Sequence, residues 1–299
     1  MSRSRIATVG LLALIAASVM IWLLLPSAHV FGPIVYSSRG ALCSIDYPTE
    51  KPPFCLSSSF DSPSFSPSGQ SLAAVSTTTS LAGRPSSKIV VFGRSGTPIS
   101  SLSESDGFIR PVWSSDGNYI YAVVDANRHA SVGRWRWPSG EKALLPVENL
   151  EQSCNKIDGL SLSPAGDRAV LLCNFKQLYL AEARSDLFRV ERELPLQFSY
   201  VSLPKWLDGS YLLAVARLKK GEVANLWRID SATSLAEVVP TPELVLRDYV
   251  AVSPDSKSVI VTGSRRHPLK WRLWRVDLSD QKQTELTSGD EDTAATWTR

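Results

Sequence analysis

Histidine and methionine are scarce in the 299 residues: three His and two Met. A His-rich metal centre is therefore not expected. Charge of one sign is missing too. Thirty-two Lys and Arg stand against 29 Asp and Glu, a net charge of +3, and the cations are scattered rather than banked. Nucleic acid is a poor partner for such a surface. The sequence has no Asn-x-Ser/Thr sequon, no Cys-x-x-Cys pair, no Gly-x-Ser-x-Gly elbow and no phosphate-cradling glycine loop. These absences argue against N-glycosylation, a zinc site, a hydrolase nucleophile elbow and a nucleotide cradle. None of His29, His129 and His267 has a Ser or Cys partner by spacing, so no catalytic residue is nominated. No cofactor is expected. The 43% hydrophobic and 20% charged composition is that of a globular chain, which excludes disorder and collagen.

One long apolar run is present. Residues 6–25 carry no charge, and twenty residues of helix span about 30 Å, the depth of a bilayer core. Arg3 and Arg5 precede the run, and the next cation is Arg39. The positive-inside rule then predicts a cytoplasmic tail at 1–5, a transmembrane signal anchor at 6–26, a linker at 27–33 and an extracytoplasmic body. A cleaved signal peptide is the rival. It fits less well, because the run exceeds the usual h-region and Pro26 would sit at the −3 position of a Pro26-Ser27-Ala28 site. Both readings put the body outside the cytoplasm, in a periplasm or outside the cell.

The four cysteines, Cys43, Cys55, Cys154 and Cys173, suit that compartment. Four allow three connectivities. Local pairing, Cys43–Cys55 and Cys154–Cys173, is preferred because each pair falls inside one sequence repeat. Free, buried thiols are the alternative.

That repeat organises the chain. It reads SFSPSGQSLAAVS from Ser64, VWSSDGNYIYAVV from Val112, SLSPAGDRAVLLC from Ser161, KWLDGSYLLAVA from Lys205 and AVSPDSKSVIVTG from Ala251. A last copy, ATWTR from Ala295, is cut off by the end of the sequence. The anchors Phe65, Trp113, Leu162, Trp206, Val252 and Trp297 are spaced 44 to 49 residues apart. A period of about 45 with β-rich content is that of a propeller, one four-stranded blade per repeat. Within a copy, a short strand leads into a Pro/Gly turn and then an apolar strand. A third strand follows, clearest as LWRID from Leu226 and LWRVD from Leu273.

These copies resemble the repeats of TolB-like six-bladed propellers, with their Pro-x-Trp-Ser-Pro-Asp-Gly pattern and apolar strand. Pro111, Trp113, Asp116 and Gly117 carry the likeness, as do Pro204, Trp206, Asp208 and Gly209. Ser66, Pro67 and Gly69, then Ser163, Pro164 and Gly166, then Ser253, Pro254 and Asp255 complete it. The resemblance covers residues 34–299 and implies an all-β, six-bladed propeller. No α/β domain precedes the repeats, which sets the chain apart from TolB itself. Because the last copy has only its inner strand, Ile34–Ser38 and the strand from Ala41 are expected to complete that blade. Both ends of the chain would then share one blade, leaving no open edge.

The connections into the inner strands carry recurring acids. Asp61, Asp158 and Asp248 lie four residues before their anchors, Asp292 five and Asp106 seven. Aromatics share these loops, Tyr249 among them. A carboxylate ring around a funnel that holds a cation or cationic ligand is one reading. Carboxylates that bond to backbone N–H groups and shape their own loops are the other, and repetition of the spacing favours it. The run Asp290, Glu291, Asp292 lacks a calcium-loop pattern and reads as an exposed acidic loop. In Arg134–Trp137 and Lys270–Arg275, cations and aromatics alternate. A strand period would turn Trp inward between blades and Arg outward.

The function expected is a membrane-anchored, extracytoplasmic propeller that serves as a protein-interaction scaffold, with protein partners at the membrane. Two rivals stand beside it. One is a propeller enzyme, such as a metal-assisted lactonase or a glycan hydrolase or lyase. The other is a non-catalytic receptor for cell-wall ligands.

Overall fold

The repeat's turn chemistry sets the local structure. Gly69, Gly117 and Gly166 hold φ of 67°, 73° and 80°. Each returns its N–H to the carbonyl of the serine three residues earlier, Ser66, Ser114 and Ser163, at 2.8 to 3.0 Å. In the fifth copy Ser256 takes the glycine's place at φ 57° and closes onto Ser253 at 2.9 Å. In two copies the serine hydroxyl then ties down an acid two residues on, Ser114 to Asp116 at 2.5 Å and Ser253 to Asp255 at 2.6 Å. One short motif thus makes the same hairpin four times.

The computed structural model describes residues 31–47, 52–56, 59–79, 85–105, 110–126, 129–265 and 270–298. Every regular element among them is a strand. In chain order, β1 (Ile34–Ser38), β2 (Ala41–Ile45) and β3 (Phe54–Leu56) come first. Blade I follows as β4 (Phe60–Phe65), β5 (Ser71–Thr79), β6 (Pro85–Gly93) and β7 (Pro98–Ser105). Blade II is β8 (Val112–Trp113), β9 (Tyr119–Ala126), β10 (His129–Arg136) and β11 (Lys142–Glu148). Blade III is β12 (Ile157–Leu162), β13 (Arg168–Cys173), β14 (Gln177–Ala183) and β15 (Phe188–Leu194). In blade IV the inner strand is split into β16 (Tyr200–Val201) and β17 (Lys205–Trp206), followed by β18 (Tyr211–Arg217), β19 (Asn225–Asp230) and β20 (Ala236–Val239). Blade V is β21 (Val245–Val252), β22 (Ser258–Ser264), β23 (Arg272–Asp277) and β24 (Gln283–Glu285). The last strand is β25 (Asp292–Trp297).

The fold is all-β and propeller-like. Strand β25 pairs antiparallel with β1, placing Ile34 opposite Trp297, and β1 continues to β2 and β3. The sixth four-stranded unit therefore takes one strand from the C-terminal end and three from the N-terminal side. Its outer strand, β3, has no counterpart in the sequence expectation. The inner strands β4, β8, β12, β17, β21 and β25 each touch the next, and β25 touches β4, so they form a closed circle. Blades II and III are also joined at their outer edges, where β11 and β15 pair in parallel into an eight-stranded sheet.

Each second strand packs against a neighbouring blade on both faces, which is why it reads as an unbroken apolar run. Leu212 through Ala216 and Ser258 through Ser264 are wholly buried. Trp135 and Trp274 are buried, while Arg134, Arg272 and Arg275 reach solvent in part and Arg136 is exposed. The Trp227 and Trp274 indoles each bond to the carbonyl eleven residues earlier, Ala216 and Gly263, at 3.2 and 3.1 Å. Cys43 is bonded to Cys55 across the β2–β3 pair, and Cys154 to Cys173.

The compact unit begins at Phe31, three residues before β1. Phe31 is 1% exposed, packs edge-on against Phe92 and donates its N–H to Arg94. The end of the expected 27–33 linker is thus core. No helix among the described residues is long and apolar enough to cross a membrane. The expected anchor at 6–26 and tail at 1–5 lie outside the described residues.

Candidate functional site

The inner strands share an irregularity at one place. Their pairing slips between Asp61 and Ser64, Ile157 and Gly159, Arg247 and Val250, and again on β25 between Thr293 and Thr296. In blade IV the break between β16 and β17 falls at the same point. A bulge inserts extra backbone and re-aims the side chains around it. Five of the six residues that stand three before an anchor, Ser62, Arg110, Leu203, Tyr249 and Ala294, line one central cavity, and the sixth, Gly159, does not. Ser62 and Ala294 adopt φ of 51° and 49° there.

That cavity is a throat of about 40 Å3, walled also by Lys205 and Asp248. Above it opens a vestibule of about 230 Å3 that shares Ser62, Arg110 and Tyr249 and adds Asp61, Lys156, Asp158 and Phe175. The structure brings four of the sequence-nominated residues, Asp61, Asp158, Asp248 and Tyr249, to this mouth. Asp292 lies elsewhere, in a cleft between blades V and VI. Asp106 is outside the described residues.

The carboxylates at the mouth already have partners. Asp61 accepts the N–H of Ser62 at 2.6 Å. Asp158, its side chain 2% exposed, accepts the N–H of Phe175 at 2.9 Å and pairs with Lys156 at 3.7 Å. Burial nevertheless pushes the Asp158 carboxyl above its ordinary range, against the pull of those two contacts. Burial, followed by the interaction with Asp248, pushes the Tyr200 phenol upward. Tyr249 is raised chiefly by burial, then by the charge of Asp61.

Cations interleave with these acids. The Arg110 guanidinium lies 5.9 Å from the Tyr249 ring centre, and Arg217 lies 5.0 Å from that of Tyr200. Tyr200 in turn stacks on Phe175, centroids 6.3 Å apart. Lys205 is enclosed by the throat wall. Burial, and secondarily repulsion from Arg110, push its ammonium down to about 8. The mouth is therefore a mixed, charge-balanced and aromatic surface rather than a carboxylate ring. Among the described residues no three His, Cys, Asp or Glu side chains are grouped to hold a metal ion.

Arg110 and Lys205 escape a search for recurring acids because the repeat conserves no residue type at their positions. The usable signal is positional: five of the six residues three before an anchor line the throat, whatever their type, and Lys205 joins them from the position just before Trp206.

The sequence model described as the lipoprotein LpqB β-propeller domain matches residues 49–267, well over half of the chain. The chain belongs to that family. Its fold is that of the TolB-like propellers. TolB from Acinetobacter baumannii superposes with a TM-score of 0.69 at 18% identity, over 89% of this chain and 66% of that one. A putative TolB from Agrobacterium tumefaciens gives 0.58 at 15% identity, over 81% and 85%. The hydrazine synthase of Kuenenia stuttgartiensis gives 0.55 at 15% identity, over 84% and 76%. Identities this low speak for the fold alone. No curated protein matches the chain.

Proposed function

We propose that this LpqB-type domain is a six-bladed propeller, held at the outer face of a membrane by residues 6–26, whose channel-mouth face docks a protein partner. One observation carries the docking reading. Phe175, Leu218, Val223 and Val245 are 39, 47, 57 and 36% exposed. All four belong to turns or strand ends on the mouth face, over the consecutive blades III, IV and V. Apolar side chains gathered on one face gain free energy when a partner covers them. The stacked Phe175–Tyr200 pair and the Arg217 guanidinium beside it add the residue types that anchor protein interfaces.

Two disulfides and the family's description as a lipoprotein domain support an envelope location in an oxidising compartment. A lipid on cysteine does not fit this chain, since each of its four cysteines is bonded to another. The apolar, charge-free run at 6–25 is the better tether. Tethering raises the effective concentration of partners in the same membrane.

No observation favours the metal-assisted lactonase or glycan hydrolase reading. The three placed mouth acids are engaged by Ser62, Phe175 with Lys156, and Tyr200. No observation favours a cell-wall receptor either: the throat measures about 40 Å3 and the vestibule about 230 Å3, below the usual size of a ligand pocket.

Photo-crosslinking residues at positions 175, 218 and 223 of the membrane-bound chain test the docking reading. They should trap a protein partner, while controls at Ile99 and Leu144, equally exposed on the outer strands β7 and β11, should not. Equal trapping at all five positions, or none, overturns it. Protease added outside right-side-out vesicles should digest the propeller. Full protection overturns the topology.

A further inference from the structure

One carboxylate in the fold is buried, unpartnered and turned to a cleft. Asp292, at the start of β25, is 1% exposed, and its Oδ2 makes no hydrogen bond. A buried carboxylate oxygen with no hydrogen-bond partner leaves an interaction to be made. The cations around it are committed to other groups. Arg39 and Lys270 pair with Asp290 at 3.4 and 3.1 Å. Arg272 pairs with Glu285 and bonds to the Gly289 carbonyl at 3.2 Å. Arg275 bonds to Ser258 at 2.9 Å and to the Tyr47 hydroxyl at 2.8 Å. The neighbouring Tyr36 phenol is raised by burial and then by the Asp292 charge.

The cleft in front of Asp292 measures about 770 Å3 and lies between blade VI and the outer strand and following connection of blade V. That size is typical of a small-ligand site. Its walls are mixed: Tyr36, Ile45, Pro52, Pro53 and the Cys43–Cys55 bridge form an apolar side, and Thr284, Glu285, Thr287 and Ser288 a polar one. Gly289 borders the carboxylate. A Cβ at that position would collide with both carboxylate oxygens and the carbon between them. Glycine leaves the room that the Asp292 carboxylate itself occupies.

We propose that this cleft binds an organic cation, an ammonium or guanidinium on an apolar stem, with Asp292 as its counter-charge. The two sides of the cleft suit a ligand of that shape: the stem covers the apolar side and the head satisfies the carboxylate. A metal ion is a poorer fit, because among the described residues no three acidic or His ligands are grouped there, and Glu285, the other acid of the lining, is paired with Arg272. The cation is carried either by a free small amine or by a Lys or Arg side chain of another protein. The site is separate from the channel mouth, so its failure and the failure of the docking reading are independent.

Calorimetric titration of the full chain in detergent tests it, with n-butylammonium, 1-butanol and Nα-acetyl-lysine methylamide as probes. Butylammonium should bind and butanol should not. Asp292→Asn should weaken the cation at least tenfold, and so should Gly289→Ala, with the near-UV circular dichroism unchanged for Asp292→Asn. Tighter binding of the lysine derivative assigns the site to a protein side chain, and tighter binding of butylammonium assigns it to a free amine. Failure of both cations to bind, equal binding of butanol, or undiminished binding to Asp292→Asn overturns the proposal.

Discussion

The indole Nε1–H of Trp206 donates a 3.1 Å hydrogen bond to the carbonyl of Ser161, one blade earlier. Trp113 does the same to Ser64 at 3.0 Å. Where the repeat places Trp at these anchors, it is therefore a stitch between blades as well as an apolar filler. Trp206→Phe keeps the ring and removes the donor, leaving the Ser161 carbonyl buried and unsatisfied. The expected cost is about 1–3 kcal/mol. Trp113→Phe should cost less, because its bond is only partly buried. Urea unfolding of the two variants, read by tyrosine and residual tryptophan fluorescence, checks the order.

Lys205 should make stability depend on pH. Its ammonium is depressed from 10.5 to about 8, first by burial and then by Arg110. Between those values the unfolded chain binds the proton and the folded chain does not, so stability rises with pH. Below pH 8 the cost is fully present, at most about 3 kcal/mol at 1.36 kcal/mol per pH unit. Lys205→Met is expected to stabilise the protein at pH 7 and to flatten its stability between pH 8 and 9.5. That window lies below the titration of the raised tyrosines. A Lys205→Met protein no more stable than the parent at pH 7 contradicts the account.

The disulfides close loops of unequal length, 12 residues for Cys43–Cys55 and 19 for Cys154–Cys173. Replacing either pair by serine should cost about 3 kcal/mol. The loss of Cys43–Cys55 should also loosen β3, a three-residue strand at the edge of its sheet. Hydrogen exchange at residues 54–56 should then accelerate ahead of the rest of the sheet.

Val223→Asp places a charge on the mouth face at a side chain that packs against little. Stability is expected to stay within about 0.5 kcal/mol of the parent. Capture of the crosslinked partner from position 175 should fall sharply. Capture that persists unchanged removes blade IV from the docking surface.

The ring was legible because its signal is redundant. The anchors, the Pro/Gly turns and the Leu226-Trp227 and Leu273-Trp274 pairs all carry one period, and the missing strands of the last copy pointed to Ile34 and Ala41. The mouth was half legible. A period flags residues that recur in type, such as Asp61, Asp158 and Asp248. Arg110 and Lys205 fill positions where each blade has its own residue, so no period flags them and only the folded ring places them at the throat. The Asp292 cleft was not legible at all. It forms between chain segments some 240 residues apart, and its polarity depends on which of several nearby arginines pairs with which acid.

The pairing of β1 with β25 has a temporal consequence. β25 is made more than 250 residues after β1, so β1 has no inner neighbour until residues 292–297 have been made. Until then the nascent protein offers an unsatisfied strand edge, and that edge is available to any chaperone that grips extended backbone. Fusions that delay release of residues 292–297 should prolong this vulnerable interval, and a pulse of protease during synthesis should cut near the newly made N-terminal strands until the final turn of the ring is laid down.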